Sequence, residues 1–134
     1  MTTEALQREE SRPLHIALWV VQSLLFVAFG MAGLMKLFTP IDELALKLPW
    51  AAAVPAALVR FIGLSEVAGA LGLVLPQAFR VRPQLTPLAA LGLVTVMVLA
   101  AGFHLHRLEY GAIAFNLVLG ALAAFVGWGR ARRS

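Results

Sequence analysis

Four long apolar stretches fill most of this 134-residue chain, and they decide its solvent before any single residue can. Residues 14–38, 55–75, 87–106 and 110–128 are each about long enough to cross a bilayer as a helix, since a hydrocarbon core roughly 30 Å thick needs about 20 residues at a 1.5 Å rise. Hydrophobic residues make up 60% of the chain and charged residues 13%, whereas a soluble domain is about half apolar and a quarter charged. The four spans leave no room for a separate soluble catalytic module. The first apolar run is too long for a signal-peptide core and lacks a small-residue cleavage site, so a retained helix is expected.

The basic residues carry topology. Of eleven Lys and Arg, seven (Arg8, Arg12, Arg80, Arg82, Arg130, Arg132 and Arg133) lie in the N-terminal tail, the second loop and the C-terminal tail. Four alternating helices put these segments on one side and Lys36, Lys47, Arg60 and Arg107 on the other. The positive-inside rule then predicts a multi-pass inner-membrane protein with both termini cytoplasmic. The net charge of +4 therefore reads as a topology anchor near anionic lipid, not as a nucleic-acid arm. With no cysteine in the chain, a thiolate nucleophile, a disulfide and a cysteine-held iron–sulfur site are excluded. Any redox role needs a cofactor or a partner.

The expected organisation is a polar cytoplasmic tail over 1–13, a transmembrane domain over 14–129 and a basic cytoplasmic tail over 130–134. Thr39-Pro40 followed by Asp42 and Glu43 predicts a hydroxyl N-cap and a short helix to about Lys47, lying at the outer interface with Trp50 at the same depth. The second span should end before Pro76, and Thr86-Pro87 repeats the cap signature for the third. The short connections favour an all-α, up-down-up-down four-helix bundle. Gly30, Gly33, Gly63, Gly69, Gly72, Gly92, Gly120 and Gly127 mark helix contacts, because lipid offers no hydrophobic drive for association and close packing replaces it.

Polar residues within the spans are the candidate site. Glu66 stands eleven residues beyond Pro55, roughly 16 Å into the helix and near the midplane. A carboxylate there is costly and should face the bundle interior, as helix-gluing ion pair or as ligand- or proton-handling group. Arg60 lies six positions away, off the same helix face, so Glu66 should meet another helix, with Lys36, Arg60 and His104 as partners. Lys36 can alternatively anchor the end of its helix by snorkelling. His104 and His106, two apart, point to nearly opposite faces; with no ligand pattern around them, no metal site is expected. Asn116 sits roughly 9 Å into the fourth span, so Lys36, Arg60, His104 and Asn116 all lie in the outer half, above Glu66. Glu66, His104, Lys36, Arg60 and Asn116, drawn from all four spans, suggest a polar pocket opening outward.

The segments Phe29-Gly30-Met31-Ala32-Gly33-Leu34-Met35-Lys36-Leu37, residues 60–73 from Arg60 through Gly63 and Glu66, and a third span ending in Phe103-His104 resemble the DoxX-like family of small four-helix membrane proteins, over about residues 14–129. The resemblance implies an integral membrane bundle, with some relatives described as membrane subunits of quinone-linked oxidoreductases or partners in thiol and oxidant defence. Three functions follow as expectations: an accessory protein binding a small amphiphile, with quinone as candidate cofactor; a membrane subunit of a quinone-linked oxidoreductase with a redox partner; and a minimal transporter working as a homo-oligomer. Catalysis is left open, and membrane lipids are expected neighbours in all three.

Overall fold

The computed structural model describes residues 3–133, with side chains described over 12–132. The expectations attached to Arg8 and Arg133 lie outside the described side chains. The elements are α1 (Thr3–Phe38), α2 (Ile41–Lys47), a turn of 3-10 helix (Pro49–Ala52), α3 (Ala56–Phe79), α4 (Leu85–His106) and α5 (Tyr110–Arg133). Four of these helices are long and apolar enough to span a membrane: α1, α3, α4 and α5. An even number of spans leaves both chain ends on one side, the terminal end. The other side carries α2 and is called here the α2 end.

Small residues set the pairing. A β-carbon built on Gly33 would come within 2.7 Å of the Gly63 carbonyl oxygen, and one on Gly63 within 2.8 Å of the Gly33 carbonyl oxygen. Only glycine at both positions lets the α1 and α3 backbones touch there. Gly30 against Ala70 and Gly120 against Met97 fit the antiparallel registers of α1–α3 and α4–α5, whereas Gly92 faces open space and marks no helix contact. The core runs along the bundle axis through Leu25, Phe29, Leu73, Leu93 and Val126. A smaller cluster at the α2 end seats Leu44 and Ala51 on Val59. Met31, Leu91 and Val118, each more than half exposed, face outward as lipid-facing residues do.

Three local expectations change. The cap position before α2 is Pro40, with no side-chain hydrogen bond from a cap, so Thr39 is not a hydroxyl cap. Pro76 lies inside α3, which runs on to Phe79. Lacking an N–H, Pro76 frees the carbonyl four residues earlier. That carbonyl, on Gly72, accepts instead from the Thr86 hydroxyl at 3.0 Å. Thr86 therefore serves α3 rather than capping its own helix, which begins at Leu85 with Gln84 in the cap position. A membrane helix tolerates an internal proline when neighbouring helices re-satisfy its backbone in this way.

The expected tail segments are helical: α1 begins at Thr3 with Pro13 inside it, and α5 runs through residues 130–133. Arg130 is only 2% exposed. Its guanidinium donates to Gln22 Oε1 at 2.7 Å, stands 3.0 Å from His15 Nδ1 and lies over the Trp19 ring. It is a bundle residue, not a lipid-facing anchor.

Candidate functional site

Glu66 is buried within the bundle, and its Oε1 accepts from Lys36 Nζ at 2.5 Å. The close Gly33–Gly63 contact makes this possible, since it brings α1 against α3 one turn from each partner. The side chains are 13% and 3% exposed, Lys36 being the more open of the two. Such a pair offsets the desolvation of its own charges and adds little net stability, but removing one partner strands the other.

Arg60 does not join this pair. Its Nη1 donates to the carbonyls of Lys36 at 2.8 Å and Thr39 at 2.7 Å, satisfying acceptors left open at the end of α1. Arg60 thus fixes the backbone that carries Lys36 and lies outside the cavity wall.

His104 and His106 part as their spacing implies: His104 is 7% exposed and inward, and His106 lies on the surface. His104 Nδ1 stands 3.0 Å from Glu109 Oε1, which also accepts from Arg107 Nε at 2.8 Å. The turn that places Glu109 there closes α4 with Leu108 in the left-handed region, φ 60°, and with bonds from Leu108 N to Leu105 O and Glu109 N to His104 O. This is the usual helix-ending pattern, built on a leucine where glycine is commoner. The hydrogen bond with His104 is the largest influence on the Glu109 carboxyl and, joined by Arg107, holds it below its ordinary value of 4.5 against the opposing effect of burial.

These groups border one cavity of about 490 Å³. Glu66, Lys36, His104 and Asn116 all line it, together with Trp50 and Glu109. The rest of its wall is dominated by Leu, Ile, Val, Phe and Met, the mixture of apolar lining and a few convergent polar groups typical of small-molecule sites. Asn116 is 8% exposed, and its Nδ2 is buried without a hydrogen-bond partner. Among the described residues no three His, Asp or Glu side chains are grouped to hold a metal ion. The amide, ammonium and imidazole nitrogens on the wall can donate hydrogen bonds to oxygen acceptors.

Two cavity residues were legible only in another role. Trp50 suits the membrane interface by type, yet it stands edge-on to Phe103 and His104, with centroids 6.3 and 6.2 Å away. Glu109 reads as a loop residue until the left-handed turn brings it under His104. A carboxylate five positions after an inward histidine is the signal that could have found it.

The model of the DoxX-like family matches residues 20–126, more than half of the chain and all four spans. No curated protein and no solved structure matches the chain significantly.

Proposed function

The chain belongs to the DoxX-like family, and we propose that it is an accessory membrane protein that binds a small amphiphile, with quinone the leading candidate, in the cavity at its α2 end. The observation that carries this reading is the apolar cavity itself, with the Lys36–Glu66 pair, His104 and the unpartnered Asn116 amide on its wall. Lys36 and Glu66 orient a polar head, and Arg60 holds Lys36 in place through the end of α1. The arginine asymmetry favours the inner membrane with both termini cytoplasmic, which turns the α2 end outward. Purification in mild detergent followed by native mass spectrometry tests the reading. A stoichiometric amphiphile lost on denaturation is expected, and a clean apo mass across detergents would end it.

The second reading, a membrane subunit of a quinone-linked oxidoreductase, is favoured by the His104–Glu109 contact. It joins a cavity-lining imidazole to a carboxylate on the α4–α5 turn, as a proton path between ligand and surface requires. A redox protein that copurifies with the chain would favour this reading over the accessory one.

A further inference from the structure

The walls between α3 and α4 change along the bundle. Toward the terminal end the helices touch: a β-carbon on Gly69 would come within 2.6 Å of the Leu93 side chain, and one on Gly72 within 2.6 Å of Ala89 Cβ. Toward the α2 end the cavity lies between them, with Ile62 and Ser65 on one wall and Val96 and Ala100 on the other. Phe61 on α3 and Leu99 on α4 border this cavity and are 64% and 69% exposed on the lipid-facing surface. A side chain that belongs to both surfaces marks an opening between them. The segment 47–50 also contributes to the wall, at the α2 end, where Trp50 packs on Phe103 and His104.

The charges within the cavity are matched internally. Lys36 is paired with Glu66, Glu109 receives Arg107 and His104, and Lys47 stands exposed at the rim. A charged head drawn into the buried part of this space would be desolvated with no spare buried counter-charge beside it. Asn116 is different, since its buried amide nitrogen has no partner. A buried donor without an acceptor is costly, and a carbonyl or ether oxygen is its natural complement.

We propose that the cavity takes an uncharged lipophile that moves sideways out of the bilayer through the gap between α3 and α4, leaving its tail between Phe61 and Leu99 and presenting an oxygen-bearing head to Asn116. This rests on the amphiphile-binding reading and adds to it the route and the chemistry of the head.

Trp50 is the reporter, in a Trp19→Phe, Trp128→Phe background reconstituted into phosphatidylcholine nanodiscs. The probes are a dimethoxy-methyl-benzoquinone bearing a decyl tail and the same ring without the tail, with fluorescence quenching followed by stopped flow. Saturable quenching by the tailed probe is expected. Ser65→Phe, which narrows the gap, should slow its association about tenfold, and Phe61→Ala should speed it, while the tail-less ring keeps its rate in both. Asn116→Leu should weaken both probes about tenfold, equivalent to about 1.4 kcal/mol. Opposite rate changes from two variants of one gap cannot come from partial unfolding, and circular dichroism melts check the fold. Unchanged or equally changed rates for the two probes overturn the route, and unchanged affinity in Asn116→Leu overturns the role of the head. If neither probe gives saturable quenching in the parent, the amphiphile-binding reading itself falls.

Discussion

The two ends of the bundle handle buried polarity in opposite ways. At the terminal end, Gln22 and Thr86 are fully buried and Arg130 nearly so. Gln22 Nε2 donates to the Leu73 carbonyl and Gln22 Oε1 accepts from Arg130, so one amide joins α1, α3 and α5. At the α2 end, polar groups of the same kinds border empty volume, and one amide nitrogen goes unpartnered. In a bilayer interior a polar residue can be closed into the structure or left facing a cavity. Only the second arrangement is available to a ligand, so polarity within a span marks a site only once its partners are counted.

Substitutions should separate the ends by what they damage. Gln22→Leu should have the largest effect, lowering stability by about 2–3 kcal/mol, because it removes one acceptor of a buried guanidinium and the donor to Leu73 O together. Binding per folded molecule should be unchanged. Denaturant titration in mixed micelles measures the first quantity and quenching of Trp50 the second; a binding loss at full folding would merge the two ends into one functional network.

Glu66→Gln should do the reverse. Glutamine keeps an oxygen for Lys36 Nζ while removing the carboxylate, and Lys36, 13% exposed, is the more open partner and retains that hydrogen bond. Ligand retention should fall about tenfold, or about 1.4 kcal/mol, with a smaller change in stability. Unfolding without any change in retention per folded molecule would instead make Glu66 a structural residue like Gln22.

The smallest effect concerns the α4–α5 turn. Because the Glu109 carboxyl is held below its ordinary value, its contacts with His104 and Arg107 are present above about pH 4.5 and are lost as pH falls through its lowered value in the folded protein. Acid should therefore loosen the turn, giving faster amide exchange at Leu108 and Glu109, and Glu109→Gln should remove that pH dependence. Equal acid sensitivity in the variant would place the titrating group elsewhere.

The sequence made the spans plain because apolar length reports bilayer thickness directly. It also put Lys36, His104 and Asn116 together in one half of the bundle, above a near-midplane Glu66, since helical rise converts position into depth. Arg60 shares that half but turns to backbone carbonyls, a choice set by where α1 ends. Proline and threonine misled for a common reason. Thr-Pro reads as a helix start whether the hydroxyl caps its own helix or serves another, and the structure gives Thr86 the second role. Gln22 went unread because its partners stand 51 and 108 positions away, far beyond any local pattern.

Pro76 has a consequence for how the protein is made. A lone α3 would enter lipid with the Gly72 carbonyl unfilled, and such gaps are expensive in hydrocarbon. The bundle fills it from α4, which is synthesised later, while the adjoining Leu73 carbonyl is met from α1, which is synthesised earlier. Biogenesis is thereby given a direction: the α1–α3 pair stays incomplete until the Thr86 hydroxyl arrives. A nascent chain halted after residue 84 should be short-lived in the membrane, and one halted after 106 should persist.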